Sequence, residues 1–193
     1  MAKVFVLMAQ GFEEMELVIT VDILRRAGID VETVALEDSL EPVLGSRKMR
    51  MVPDTTLARI DAASCDMVVL PGGKEGAERL GASEAVLELV RRVHGLGKYV
   101  AAICAAPAVL VKAGIMKGRR ITCHPVVVEH IPGAIFQTHR VVVDEKTITS
   151  RAAGTTFEFA FTLVETLCGK QKIKEVNRGC LALLPDQLPE LMS

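Results

Sequence analysis

Short apolar runs recur through the first half of the chain and leave it few ways to fold. Lys3–Met8, residues 31–36, Met67–Leu70 and Tyr99–Ile103 are rich in Val, Ile, Leu and Ala and show no polar/apolar alternation. A strand that meets water on one face alternates; a strand covered on both faces does not, and parallel sheets are built from the second kind. Amphipathic stretches at 13–26 and 83–94 lie between the runs and predict helices, stopped by Gly28 and by Gly95 and Gly97. Residues 107–113 predict a further helix, with Pro107 near its first turn and Gly114 after its last. This βαβ alternation predicts an α/β fold, a doubly wound, mostly parallel sheet with helices on both faces, as a single domain over residues 1–193. Residues 42–52, with Gly45-Ser46 at their middle, predict a small hairpin inserted in the series.

The second half opens with short extended stretches at 135–138, Val141–Asp144 and Thr147–Ser150, where Asp144-Glu145-Lys146 supplies a turn. Thr155-Thr156-Phe157-Glu158 reads as a capping box, the Thr155 hydroxyl serving the Glu158 amide and Glu158 reaching back. The helix it opens is predicted to run to about residue 167 and stop at Gly169. An amphipathic segment at 172–184 and a proline-containing tail follow.

Composition excludes several classes. The 23 basic residues against 24 acidic ones leave a net charge of −1, without the cationic excess that holds a protein on nucleic acid or anionic membrane. Half the residues are hydrophobic, so a core forms rather than a disordered chain. Six Phe, one Tyr and no Trp offer little for base stacking. The 5 cysteines are odd in number and lack a C-x-x-C pair, which fits a reducing cytoplasm better than a disulfide scaffold. The apolar start, Val4 to Ala9, is too short for a signal h-region. The longest apolar run, 99–111, falls short of the ~20 residues that span a bilayer and is interrupted by Pro107. The expectation is a cytoplasmic protein with no membrane or nucleic-acid partner, a glycated nucleotide substrate apart.

Ligands of doubly wound sheets bind outside the carboxyl ends of the strands, and the candidate residues gather at such junctions. Cys104 ends the fourth run and turns at once into a helix, the topology of a nucleophile elbow, among the small Ala102, Ala105 and Ala106. A helix N-terminus favours the thiolate; the alternative is a buried, inert cysteine. Cys65, Cys168 and Cys180 read as packing or surface residues. Pro71-Gly72-Gly73 lets backbone approach a ligand and offers amides to an oxyanion, or is a plain tight turn. It lacks both the P-loop and the dinucleotide spacing. Glu13, Glu14 and Glu16 occupy a helix's first turn, where negative charge is favoured anyway. Glu16 shares a face with Ile19, Thr20 and Ile23, which points it inward, yet periodicity does not separate it from Glu14. A carboxyl buried there has a raised pKa and can exchange a proton with a thiol. His124, before Pro125, is a candidate imidazole or a hydrogen-bonded structural residue. His94, His130 and His139 are expected to face solvent, and Cys123-His124 lacks the second pair that a zinc site requires.

Taken together, these residues resemble the ThiJ/PfpI superfamily, and within it the DJ-1-like branch. Glu13-Glu14-Met15-Glu16, Val68-Val69-Leu70-Pro71-Gly72-Gly73 and Ala101-Ala102-Ile103-Cys104-Ala105-Ala106-Pro107 carry the likeness. His124-Pro125, Thr149-Ser150-Arg151 and Gly154-Thr155-Thr156-Phe157-Glu158-Phe159-Ala160 complete it, in family order along nearly the whole chain. The resemblance implies a flavodoxin-like fold, a homodimer and no cofactor or metal. It makes Cys104 the nucleophile and redox-sensitive thiol, Glu16 a protonated carboxyl against the sulfur, and His124 the nearby imidazole. Gly72, Gly73 and Ala105 then form the oxyanion and substrate-binding backbone, and Arg47 stands by the pocket at the dimer interface. The implied activities are glyoxalase or deglycase action on methylglyoxal-type dicarbonyls and their protein or nucleotide adducts, redox-dependent chaperoning through a Cys104 sulfinate, and protease or amidase action. The protease-like branch carries histidine directly after its nucleophile. Here that position is Ala105, which disfavours peptidase chemistry.

Overall fold

In the computed structural model, which describes residues 1–182, the apolar runs become the inner strands of one sheet. The strands are β1 (Lys3–Met8), β2 (Asp30–Ala35), β3 (Val43–Leu44), β4 (Arg50–Met51), β5 (Thr55–Thr56), β6 (Met67–Leu70) and β7 (Tyr99–Ile103), then β8 (Arg120–Ile121), β9 (Ile135–Phe136), β10 (Val141–Asp144) and β11 (Thr147–Ser150). The helices are α1 (Glu14–Arg26), α2 (Lys74–Ala82), α3 (Glu84–Gly95), α4 (Pro107–Lys112), α5 (Thr156–Cys168) and α6 (Lys170–Cys180). The main sheet has the order β10-β11-β7-β6-β1-β2-β5. All its neighbours run parallel except β10 against β11. This is the doubly wound, flavodoxin-like α/β arrangement.

Burial on both faces explains the missing alternation. Val4, Val6 and Met8 of β1 join Leu17 and Leu24 of α1 and Phe159 and Phe161 of α5 in one core. Phe5 and Leu7, pointing the other way, join Val86 and Val90 of α3 and Leu110 of α4 in a second. Helix caps follow from local chemistry: Glu13 accepts from the Glu16 amide at 2.8 Å, and Ser83 accepts from the Val86 amide at 3.4 Å. The predicted hairpin is present as β3 paired antiparallel with β4, and the Asp144–Lys146 turn joins β10 to β11.

Three features depart from the sequence reading. Helix α2 was not expected, because Gly76 and Gly81 depress helix propensity over its few turns. The capping box does not form: the Thr155 hydroxyl donates to Ala152 O at 2.7 Å and meets Ser150 Oγ at 2.6 Å, while Glu158 pairs with Arg140 at 2.7 Å. The last amphipathic segment begins at Lys170, directly after Gly169, and its helix closes at Cys180. Its predicted end at 183–184 and the proline-containing tail lie outside the described residues. No helix among the described residues is long and apolar enough to cross a membrane.

Candidate active site

The sheet order reverses between β1 and β6, since β2 lies on one side of β1 and β6 on the other. Such a switch point opens a crevice at the strands' carboxyl ends. There the loop after β1 meets the turn after β6, the Glu13 amide donating to Gly72 O at 3.1 Å. Gly73 has φ +84, and a Cβ on it would stand 2.2 Å from Gly11 O. Only glycine fits that turn.

Cys104 follows β7 with φ +65, a left-handed conformation that costs a side-chain-bearing residue energy. Its backbone is tied on both sides: its amide donates to Ser150 O at 2.9 Å, and its carbonyl accepts from the His124 amide at 2.8 Å. The held turn aims the half-buried sulfur at the amides of Gly73 and Ala105 and at the Glu16 carboxyl. Glu16 is fully enclosed. Its Oε2 accepts from the Gly72 amide at 2.7 Å, and its carboxyl lies beside the thiol. Packing here is tight: a Cβ on Gly72 would approach both Cys104 Cβ and Glu16 Oε2 to 2.7 Å.

The electrostatics differ from the sequence expectation of a thiol acidified by its helix. Burial pushes the Cys104 thiol up to about 12, reinforced by the Glu16 carboxylate and opposed by the Gly73 and Ala105 amides. Helix α4 starts only at Pro107 and is 6 residues long, too short and too far along the chain to dominate. Burial likewise raises Glu16 to about 7, against the Gly72 amide and the Cys104 hydrogen bond. Neutralising Glu16 removes the charge that opposes a thiolate and leaves a donor beside the sulfur. The two groups are therefore coupled, each one's charge setting the other's titration.

Glu14 and Glu16, inseparable by periodicity, have different partners. Glu14 is also buried, but it accepts from the Arg47 amide at 2.6 Å, the Ser46 hydroxyl at 3.0 Å and the Met49 amide at 3.3 Å. It anchors the β3–β4 hairpin, and those hydrogen bonds hold its pKa below the usual value despite burial.

Beside Cys104 lies a cleft of about 600 Å³ whose lining includes Gln10, Glu13, Arg47, Gly73, Ala105 and His124. His124 brings an imidazole to its wall, and Nδ1 also accepts from the Val126 amide at 3.3 Å, so it has a structural duty as well. Arg47 is exposed, with Nη1 3.5 Å from Ser46 O. The Gly72 amide is committed to Glu16, leaving Gly73 and Ala105 toward the sulfur. Gln10, Glu13 and Ser150 stand at the site without a distinguishing sequence signal. Glu13 was seen only as first-turn charge, and Ser150 acts through its carbonyl, which no side-chain pattern reports. Cys123 is sealed from solvent and Cys65 is buried; Cys168 is exposed and Cys180 partly so. His130 and His139 are exposed, whereas His94, expected to face solvent, is half-buried.

A flavodoxin-like sheet with a strained cysteine at a strand end, backed by a buried glutamate, defines a class of cysteine-centred α/β proteins. Within that class the chain belongs to the DJ-1/PfpI family, whose model matches residues 2–166. It is 43% identical over 178 residues to protein dj-1beta of Drosophila melanogaster, covering 91% of this chain and 95% of that protein. It is 36% identical over 173 residues to the glutathione-independent glyoxalase DJR-1.2 of Caenorhabditis elegans, covering 88% and 91%. The crystal structure of Drosophila DJ-1beta superposes with a TM-score of 0.90 at 41% identity over 95% of this chain and 99% of that one. The DJ-1 superfamily protein STM1931 of Salmonella typhimurium gives 0.91 at 39% identity over 95% and 100%.

Proposed function

We propose that the protein is a cysteine-dependent, cofactor-independent glyoxalase or deglycase acting on methylglyoxal-type dicarbonyls and their adducts. The observation that carries this reading is the Glu16–Cys104 pair, with the Gly73 and Ala105 amides facing the same sulfur at the wall of an open cleft. The glyoxalase named among its relatives supports it.

As the Cys104 thiol passes its proton to the Glu16 carboxylate, the sulfur adds to the aldehyde carbon C1, and the carbonyl oxygen becomes an oxyanion received by the two amides. Protonation by Glu16 gives a hemithioacetal. Glu16 and His124 then serve as the groups that take the proton from C1 and deliver one to the C2 oxygen, giving an enediol; the C1 hydroxyl next loses its proton as one is delivered to the C2 carbon, leaving a thioester of the 2-hydroxy acid. Water cleaves the thioester, releasing the acid and the thiol. C1 is oxidised and C2 reduced within one molecule, so the overall reaction is dicarbonyl plus water to hydroxy acid. In adducts on protein or nucleotide amines C1 is a hemiaminal carbon; the C1–N bond breaks, the amine leaving with a proton from Glu16, as the C1–S bond forms, and the same hemithioacetal results.

Methylglyoxal consumption and lactate formation test the reading. Cys104→Ala is expected to reduce lactate formation to background and Glu16→Gln to lower it ~100-fold or more. Undiminished turnover by Cys104→Ala overturns it.

The same cradle favours a second reading, a redox sensor or chaperone in which two equivalents of peroxide oxidise Cys104 through a sulfenate to a sulfinate, each being reduced to water. Two amides suit an added oxygen, and a protonated Glu16 can donate to it. Peptidase or amidase action has no second imidazole at Ala105 to support it. The reading is completed by a reducing cytoplasmic setting, which suits free thiols, and by a homodimer joined through exposed apolar residues of α1 and the hairpin.

A further inference from the structure

A second hollow, about 670 Å³, continues from the Cys104 cleft between α2, α4 and the turn at 125–130. The two share Lys74, Glu78, Ala105, Val126 and Val127 as walls, so they form one trough with the reactive sulfur near one end. Ala77, Gly81, Ala108 and Val109 line the far part, while the exposed Lys74, Glu78 and Lys112 border it. Methylglyoxal, with its single methyl group, leaves that far part unused.

Gly81 is the second observation. It lies inside α2, where glycine is a poor helix former. Unlike Gly76, whose Cβ would press within 2.9 Å of the Phe12 backbone, Gly81 is not dictated by crowding. A Cβ there would meet only Val109 Cγ2, at 3.6 Å. What its missing side chain provides is room beside the hollow.

We infer that this hollow is a subsite for an apolar substrate tail, and that the protein prefers 2-oxoaldehydes with an alkyl chain over methylglyoxal. The head-group chemistry rests on the glyoxalase reading; the tail site rests on the shape and lining of the trough. The floor has small apolar residues and, among the described residues, no buried charge for a polar tail to meet, the exposed His130 standing with the charged residues at the rim; each methylene it takes from water is worth about fourfold in affinity.

The test compares kcat/KM for 2-oxooctanal and methylglyoxal, and in parallel the rates at which N-hexyl iodoacetamide and iodoacetamide alkylate Cys104, followed by mass spectrometry. The wild type is expected to favour the long member of each pair by at least ~10-fold. Gly81→Leu, which fills the trough, is expected to abolish that preference, and Gly81→Ala to keep most of it. Ala108→Phe plugs the hollow from α4 if Gly81→Leu does not fold. Equal rates for long and short reagents in the wild type, or a preference that survives both plugs, overturn the inference. If neither oxoaldehyde is consumed, the glyoxalase reading falls, and the alkylation ratio still decides the tail site.

Discussion

Glu16 is wholly out of water, with one amide on Oε2 and a thiol as its other neighbour. Oε1 is buried without a hydrogen-bond partner, and a single amide on Oε2 does not replace the hydration of a carboxylate, so its charge opposes folding. Its pKa rises from 4.5 to about 7, which at 1.36 kcal/mol per unit is roughly 3 kcal/mol. Because the folded pKa lies above the unfolded one, the native state binds the extra proton between those values. Stability therefore falls as pH rises from about 4.5 to about 7 and stays low above that. Glu14 has the opposite sign: hydrogen bonds lower its pKa, and its contribution is lost as pH falls toward acid. Glu16→Gln keeps an acceptor for the Gly72 amide and never ionises. Urea denaturation at pH 8 is expected to find it about 1–3 kcal/mol more stable than wild type, with the gap closing by pH 4. A variant no more stable at pH 8 would mean that the carboxyl is solvated. The sequence brought the choice to these two glutamates, because both sit on the inner side of an otherwise apolar helix. What separates them is tertiary: Glu14 meets a hairpin more than 30 residues away, and no periodicity along one helix encodes that meeting.

Elements place the site through two turns that glycine and a strained cysteine make possible. At Gly73, φ +84 already disfavours any side chain, and the Gly11 carbonyl occupies the space a Cβ needs. Gly73→Ala is thus expected to destabilise the protein by about 2 kcal/mol or more. It also shifts the amide that faces the sulfur, so alkylation of Cys104 by iodoacetamide should change along with the urea midpoint. Unchanged stability and reactivity would show that the turn relaxes freely. The glycines that make this close packing possible also hid an element. Gly76 lets the start of α2 pass the Phe12 backbone, and its low helix propensity made that segment read as loop. Thr155 misled in the reverse way. Its spacing to Glu158 matches a capping box, but Ser150 and Ala152 are nearer partners for its hydroxyl, and Arg140 takes Glu158. Local patterns predict elements well where the groups they use have no stronger partner in the folded chain.

At the scale of the whole molecule, burial on both sheet faces was legible because it removes alternation from β1, β6 and β7. The strand order, which sets the switch point, leaves no such trace. One surface remains to be accounted for. Met15 and Val18 on α1 are 52% and 39% exposed, and Met49 and Val52 of the hairpin region 56% and 66%. Glu14 accepts from the Met49 amide, so the start of α1 and the hairpin form adjoining parts of one side. In the proposed homodimer a two-fold axis through that side would bury each residue twice, and burying one such side chain is worth about 1.5–3 kcal/mol. Val18→Asp removes two of these contributions per dimer and sets two carboxylates against apolar surface. Its dimer dissociation constant is expected to rise ~1,000-fold, read by sedimentation over a protein dilution series. Arg47 lies in the hairpin and borders the Cys104 cleft, so the Val18→Asp variant should also lose dicarbonyl turnover as dilution dissociates its weakened dimer, at concentrations where the wild type keeps it. A wild type that sediments as a monomer at all concentrations would leave α1's apolar side without a second copy and detach Arg47 from any shared site.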